Sequence, residues 1–157
     1  MQYQIEKGES VRPRIILAEM SHLLAVKRLA DQYKQELGFI NRAILQKAIE
    51  TQSLLVAPLT RESTSDLAGF IHFYVRRDQI ITLYSIAVAP VHQGQGWGRH
   101  LFAALIDEAR VRQKSEIRLK CPAELPANNF YKHLGLQQLD YEAGKHRPLN
   151  IWTYTLI

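Results

Sequence analysis

The residues with the clearest chemical potential lie in one glycine-rich segment near the middle of the chain. An apolar run closes with Ile86, Ala87 and Val88, and after Pro90 the sequence continues Gln93-Gly94-Gln95-Gly96-Trp97-Gly98-Arg99. Glycines at a helix start let the main chain come close to an anion, and the first N–H groups of a helix have no partner within it. Arg99 adds a positive charge nearby. The segment therefore predicts a site for phosphate groups.

Two well-known phosphate motifs fit this segment badly. A P-loop requires Lys-Ser or Lys-Thr after its last glycine, and neither pair is present. The dinucleotide-binding fingerprint needs its third glycine where Arg99 stands, and it opens a parallel unit, whereas a hairpin-like arrangement precedes this segment. Both classes of nucleotide site are therefore disfavoured.

The elements around this segment follow from the spacing of apolar residues and from turn residues. Strands are predicted at 14–18, 53–59, 67–75, 80–89, 116–121, 136–142 and 149–157. Four helices are predicted: one capped by Ser21 and stopped at Gly38, one capped by Asn41, one of about four turns from Trp97, and a short one from Pro126 to Leu134.

The order of these elements predicts an α/β fold of the mixed α+β kind in one domain covering residues 1–157. A central mixed sheet of six or seven strands is flanked by about four helices lying on both of its faces. The strand at 80–89 is apolar on both faces, which is typical of a central strand covered on both sides.

Composition narrows the possible partners. Twenty Lys and Arg against fifteen Asp and Glu give a net charge of +5, but the basic residues are dispersed, so no specific nucleic-acid partner is predicted. No apolar run approaches the roughly 20 residues of a membrane span. The single cysteine, Cys121, cannot form an intramolecular disulfide or a metal site, and we predict a cytoplasmic protein without a metal.

Two motifs together resemble a known family. Gln93, Gly96 and Gly98 follow an Ala-Val-x-Pro strand end in the pattern Gln-x-x-Gly-x-Gly, and the later segment Phe130–Leu136 has the pattern aromatic-Tyr-x-x-Leu-Gly-aliphatic. In these motifs, and in the order of elements over nearly the whole chain, the sequence resembles the GNAT superfamily of N-acetyltransferases. It departs from the family at Glu124, where many members carry asparagine, while Ala127 matches a small residue of the family.

The resemblance implies an acetyl-CoA-dependent N-acyltransferase. It implies that acetyl-CoA is a cosubstrate whose diphosphate lies on the amides of Gln93 to Arg99 and whose pantetheine arm pairs with Ile86 to Val88. An N–H near Val88 would polarise the thioester carbonyl. Tyr131 would protonate the departing thiolate. The acceptor would be a primary amine on a small molecule or a peptide, attacking directly while both substrates are bound.

The residue that accepts the proton of the amine stays open in the sequence. Some members of the family place a glutamate that can accept the proton on a strand where this chain has Lys120, so this chain has no such glutamate at that position. His72, Tyr74, Tyr84 and Ser85 lie on the two strands that would face the acceptor, and water is a further candidate. A covalent route through Cys121 is disfavoured because no activating histidine is near it in sequence.

Several properties are not determined by the sequence. The fold also suits a non-catalytic acyl-CoA sensor or interaction protein, so this alternative is kept. The acceptor pocket would be built from the N-terminal helices and the loop 143–148, whose sequences are not diagnostic. The acyl chain preferred and the choice between monomer and homodimer also stay open, although exposed final strands could pair between chains.

Overall fold

The computed structural model describes residues 14–143 and 146–156. Within them, seven strands form one sheet in the order β1-β2-β3-β4-β5-β7-β6. The strands are β1 Ile16–Leu17, β2 Leu54–Pro58, β3 Leu67–Val75, β4 Ile80–Val88, β5 Glu116–Pro122, β6 Gln137–Glu142 and β7 Leu149–Thr155. The helices are α1 Leu23–Gln32, α2 Lys34–Leu37, α3 Arg42–Glu50, α4 Trp97–Val111 and α5 Ala127–His133.

The directions of the strands confirm the predicted mixed sheet. All neighbouring strands are antiparallel except β4 and β5, which run parallel and are connected through α4. The sheet has seven strands, at the upper end of the predicted range, and β4 is central, as its two apolar faces indicated. The predicted class, a mixed sheet with helices on both faces, is therefore confirmed.

Two apolar cores lie on opposite faces of the sheet. Because strand side chains alternate between faces, Phe73 packs with α4 in one core while Phe70 packs with α1 and α3 in the other. The α4 residues Leu101 and Leu105 are fully buried, as their four-residue spacing predicted. The sheet is thus held from both sides, and β2 and β3 are its least exposed strands.

The N-terminal helical region departs from the prediction in two ways. Ser21 caps nothing, because it lies in a short 3-10 turn, Met20–His22, where the N–H of Glu19 donates to Nδ1 of His22 at 2.9 Å. The single helix predicted up to Gly38 is split at Tyr33, whose φ of −117° and ψ of 31° leave the helical region. The predicted cap at Asn41 is confirmed, since its Oδ1 accepts from the N–H of Ile44 at 2.8 Å.

Candidate active site

The sheet opens between its two parallel strands. β4 pairs with β5 only at Ile80, Ile81 and Thr82, although β4 continues to Val88 and β5 continues to Pro122. On its other side β5 is paired with β7 along its whole length, and β4 is paired with β3. The second half of β4 therefore has one edge without a strand partner in the part of the chain that the structure describes.

The main-chain groups of Ile86 and Val88 face this opening. The N–H of Ala89 donates to the carbonyl of Ala68 at 2.7 Å, so Ala89 directs its groups toward β3. Alternate residues of an antiparallel strand direct their groups the same way, so Ala87 also faces β3 while Val88 and Ile86 face away from it. Of the three predicted strand residues, two therefore present main-chain donors to the opening and Ala87 does not.

The glycine-rich segment forms the start of α4, beside the same opening. Gly96 precedes the helix with a left-handed φ of 90°, and no side chain caps the helix end. The N–H of His100 is the first to close a helical bond, onto the carbonyl of Gly96 at 3.1 Å. The amides of Trp97, Gly98 and Arg99 precede it and are available to an anion. Gly94 also has a positive φ, of 79°, while Gln95 and Arg99 are exposed.

Gln93 is engaged with the protein itself. Its Nε2 donates to the hydroxyl of Tyr33 at 2.5 Å, and that hydroxyl donates to the carbonyl of Val88 at 2.6 Å. The N–H of Gln93 makes a long bond of 3.4 Å to Pro90. Gln93 therefore braces the end of β4 rather than offering its side chain to a ligand. In the sequence, Tyr33 belongs to an apolar stripe of the first predicted helix that runs from Leu23 to Leu37, and this local pattern carries no signal for the contact.

Besides its place at the start of α4, Gly98 is restricted to glycine by the packing around it. A Cβ built there would lie 2.8 Å from Cζ of Phe130, which is too close for a normal contact. The ring of Phe130 lies 5.5 Å from that of Tyr131, centroid to centroid. The missing side chain therefore lets α5, the helix that carries Tyr131, approach the start of α4.

Tyr131 is held in the core on the α4 side, in the cluster against which Ile86 and Val88 pack. It is 9% exposed, and its hydroxyl makes no hydrogen bond to any described residue. Burial, with a smaller effect of the neighbouring Cys121, raises the pKa of the phenol above its ordinary value. At neutral pH the hydroxyl therefore keeps its proton and can donate it.

Asn128 fixes the helix that carries Tyr131, and sequence reasoning did not single it out. Its Nδ2 donates to the carbonyls of Pro122 and Leu125, both at 2.9 Å. Its Oδ1 accepts from Nε1 of Trp152 at 2.9 Å and from Nδ2 of Asn150 at 3.0 Å. The side-chain amide of Asn128 thus joins α5 to the end of β5 and to β7. In the sequence, the available indication of this role was that Asn128 lies three residues before Tyr131, about one helical turn away on the same helix.

A β-bulge brings the four candidate proton acceptors to one region of the sheet. His72 is opposite Ser85 and Phe73 is opposite Leu83, so Tyr84 is the extra residue of β4. The rings of His72 and Tyr84 lie 5.3 Å apart, and those of Tyr74 and Tyr84 lie 6.3 Å apart. The bulge also lets Leu83 and Ile86 both pack toward α4, on the far side from these rings.

A cavity of about 580 Å³ lies beside the bulge, between α3 and β3. His72, Tyr74 and Tyr84 line it on the sheet side, and Ile44 and Lys47 on the helix side. The prediction that an N-terminal helix would form a wall of the acceptor pocket suits this position. The described residues of the loop 143–148 are not in its lining, and Gly144 and Lys145 lie outside the described residues.

The four candidate proton acceptors differ in their burial and in whether they line the cavity. The hydroxyl oxygen of Ser85 is fully buried with no partner among the described residues, and it is not in the cavity lining. His72 lines the cavity and is 8% exposed, and burial lowers its pKa to about 4. Its imidazole is therefore neutral at pH 7 and retains a nitrogen lone pair.

We expect acid to destabilise the protein through His72. The unfolded chain takes up this proton at its ordinary pKa near 6.5 and the folded chain only near 4, so the free energy of unfolding falls as the pH drops from 6.5 to about 4. The loss should approach about 3 kcal/mol. Urea denaturation at pH 7, 5.5 and 4 measures it.

His72→Gln should lose most of that slope, whereas His133→Gln, at an exposed position on α5, should keep it. Equal slopes for the parent protein and His72→Gln would contradict the assignment.

Three other residues considered in the sequence have different roles. Burial raises the pKa of the Cys121 thiol to about 11, so almost no thiolate exists at neutral pH and the covalent route has no support. Glu124 is paired with Arg147, whose Nε donates to it at 2.9 Å. Lys120 is paired with Glu142 at 3.3 Å. Both charges are therefore held in ion pairs at the protein surface.

Residues 14–143 and 146–156 contain neither a cluster of metal ligands nor a membrane-spanning helix. No group of three His, Cys, Asp or Glu residues there is arranged to hold a metal ion. None of the helices in those ranges is long and apolar enough to cross a bilayer.

The same fold occurs in many solved structures. Ard1 from Thermoplasma volcanium superposes with a TM-score of 0.80 at 17% identity, over 94% of this chain and 99% of that one. The ribosomal-protein-S18-alanine N-acetyltransferase of Escherichia coli gives 0.72 at 22% identity, over 92% and 94%. YncA from Salmonella typhimurium, solved with its cofactor acetyl-CoA, gives 0.73 at 20% identity, over 93% and 95%. At these identities the similarity establishes the fold.

A sequence model described as the acetyltransferase (GNAT) family matches residues 23–136, which is most of the chain and includes the glycine-rich segment and Tyr131. This chain therefore belongs to the GNAT acetyltransferase family, as its two motifs indicated. A comparison with curated protein sequences gives no significant match.

Proposed function

We propose that this chain transfers an acetyl group from acetyl-CoA to the nitrogen of a primary amine, with both substrates bound together. The observation that carries the proposal is the opening between β4 and β5, which leaves main-chain donors of β4 unpaired beside an uncapped helix start. This is the arrangement that an elongated carrier with amide groups at one end and a diphosphate at the other requires.

The residues present fit such a carrier at both ends. The amides of Gly94 to Arg99 would hold the diphosphate, and the guanidinium of Arg99 would add a charge. The groups of Ile86 and Val88 would pair with the amides of the pantetheine arm, as an added strand does. The carbonyl of Val88 already accepts from the Tyr33 hydroxyl at 2.6 Å and, in a long bond of 3.5 Å, from Nε2 of Gln93, so an amide of the arm would replace the long bond there.

The chain's own groups supply the rest of the chemistry. Bound acetyl-CoA provides the acetyl group as an activated thioester. Of the two N–H groups that face the opening, that of Ile86 lies farther along the strand from α4, and it stabilises the charge that develops on the carbonyl oxygen while the amine nitrogen bonds to the acetyl carbon. Tyr131 donates its hydroxyl hydrogen toward the sulfur as the carbon–sulfur bond breaks. The free thiol and the N-acetylated amine leave as products, and the Tyr131 phenolate takes a proton back from water.

The proton of the amine leaves on the cavity side of β4. His72 is the one candidate there with a neutral imidazole facing the cavity, so we assign it to accept a hydrogen bond from the amine directly or through water. Its lowered pKa makes it a weak base, and water therefore carries the proton to solvent. The side chains of Tyr74 and Tyr84 line the route by which the amine would reach the thioester.

Calorimetric titration with coenzyme A tests the binding step. We expect saturable binding, and at least about tenfold weaker binding of pantetheine, which lacks the diphosphate. Gly96→Ala should weaken coenzyme A binding by about five- to tenfold because it adds a Cβ where the backbone has a positive φ at the start of α4. Gly38→Ala, another positive-φ glycine with open space around it, is the matched control and should bind normally.

A thiol-release assay over a panel of primary amines tests the transfer step. Saturable binding together with turnover on at least one amine is the expected result. Binding with no turnover on any amine would favour the acyl-CoA sensor, and no binding would overturn the proposal.

A further inference from the structure

The cavity beside the β4 bulge has the chemistry of a substrate site, and its lining limits the acceptor. Its volume of about 580 Å³ lies within the range of small-molecule sites, roughly 300–1,000 Å³. Tyr84, in its wall, is two residues before Ile86, whose N–H faces the opening, and two residues of strand span only about 7 Å. A molecule in the cavity can therefore place an amine next to the carrier's reactive end.

The walls of the cavity suit a flat apolar body. Tyr74 and Tyr84 are 53% and 60% exposed, and Ile44 is 44% exposed on the opposite wall. Large apolar side chains that converge on a cavity while exposed mark a surface that a ligand covers. Two tilted tyrosine rings favour an aromatic ring between them and α3, because such rings pack edge to face or offset.

The described residues that line the cavity include a cation and no anion. Lys47 is exposed on α3, lines the cavity, and makes no ion pair or hydrogen bond from its Nζ with any residue of the described ranges. None of the described lining residues is acidic. A polyamine or an aminoglycoside would bring several ammonium groups to a site that offers a cation and no carboxylate. One lysine balances the charge of one carboxylate, whereas a phosphate carries about −1.5 to −2 at pH 7 and would be only partly neutralised here.

We infer that the acceptor is a primary amine attached to a flat apolar body that ends in a carboxylate, with the carboxylate at Lys47 and the ring between Tyr74, Tyr84 and Ile44. This inference rests on the proposed acetyl transfer and specifies its substrate class. The cation and the apolar walls also favour the uncharged form of the amine, which is the form that attacks. The acetyl group passes to nitrogen, the amine loses one proton, and the carboxylate is unchanged in the product.

Matched acceptors provide the test. Steady-state thiol release is measured with 4-(aminomethyl)benzoate, with its neutral analogue 4-(aminomethyl)benzamide, and with spermidine. The benzoate is expected to have a kcat/KM about five- to tenfold above that of the amide, which corresponds to one accessible charge pair, and spermidine should be the poorest of the three.

Variants identify the charge responsible. Lys47→Met should raise KM for the benzoate about five- to tenfold, leave KM for the amide unchanged and leave kcat for both unchanged. Arg42→Met removes a charge from the same helix outside the cavity lining and should change neither acceptor. Tyr74→Ala should raise KM for both acceptors alike, because it removes apolar contact and no charge.

Outcomes of these assays separate this inference from the function on which it rests. Faster turnover of spermidine or of the amide than of the benzoate, or an unchanged benzoate-to-amide ratio in a folded Lys47→Met, would overturn the acceptor class while leaving acetyl transfer intact. Saturable binding of coenzyme A with no thiol release from any amine would overturn both. The comparison of acceptors on the parent protein decides the class even if a variant fails to fold.

Discussion

Tyr131→Phe is expected to lower kcat by about 100- to 1,000-fold, the range for loss of a positioned proton donor. Coenzyme A binding should be unchanged, since the phenyl ring still fills its place in the α4-side core. The stability should also change little, because the hydroxyl makes no hydrogen bond to a described residue. Steady-state kinetics, calorimetric titration and thermal melting of the same preparation measure the three quantities.

The pH dependence of this variant tests the direction of proton transfer. Burial raises the pKa of Tyr131, so the phenol stays protonated from pH 6 to 9 and the ratio of parent to variant rates should be constant there. A phenolate acting as a base would instead give a ratio that rises with pH. Tyr141→Phe, at an exposed position on β6, is the matched control and should keep full activity. A Tyr131→Phe variant with more than a third of parental activity would show that the hydroxyl is not the proton donor.

Gly69→Ala is expected to destabilise the protein by about 3 kcal/mol or more, at the upper end of the effects of overpacking. A Cβ at Gly69 would lie 2.4 Å from the carbonyl oxygen of Ala87 and 3.0 Å from a methyl of Leu101. Gly69 is opposite Val88 in the pairing of β3 with β4. The carbonyl is main chain in a central strand, so it can move only if β3 and β4 separate. Urea denaturation measures the loss.

The same substitution should impair cofactor binding in whatever fraction stays folded, because it displaces the strand that carries Ile86 and Val88. Gly38→Ala separates this steric effect from backbone strain. Gly38 has φ of 78° and ψ of 175° with nothing within 4 Å of a built Cβ, so its substitution should cost about 1–3 kcal/mol of backbone strain and leave cofactor binding unchanged. A loss below about 1 kcal/mol in Gly69→Ala, with normal cofactor binding, would show that β3 and β4 can adjust their spacing.

Most of the fold could be predicted because the strands and the longer helices carry strong periodic signals. β3 is predicted with its observed bounds, Leu67–Val75, since a nine-residue apolar strand between polar turns leaves little ambiguity. The start of α4 at Trp97 follows from the glycines before it. The split of the first helix at Tyr33 could not be predicted, because its apolar stripe continues to Leu37. Its hydroxyl bonds to Val88, 55 residues away, and no local pattern encodes that contact.

The candidate site was predictable where it consists of main chain and local motifs. The glycine-rich segment and Tyr131 were identified from sequence because their chemistry depends on neighbours a few residues away. The β4 bulge was not, since it is a property of how two strands pair, and neither was the cavity formed by α3 and β3. The environment that makes His72 neutral likewise depends on burial by distant residues. Sequence therefore named four possible proton acceptors and could not rank them.

The parting of β4 from β5 has an evolutionary consequence. Every residue type except proline has an N–H, so a binding surface made of peptide groups survives replacement of nearly every side chain along it, provided the strands keep their paths. Selection then acts on strand geometry and on a few glycines, and the remaining positions can diverge. Superposition on three solved structures with TM-scores of 0.72 to 0.80 at only 17 to 22% identity is what such divergence would produce. For the proposed acetyl transfer, the same division of roles would leave the walls of the neighbouring cavity free to adapt to new amines without disturbing the acyl donor.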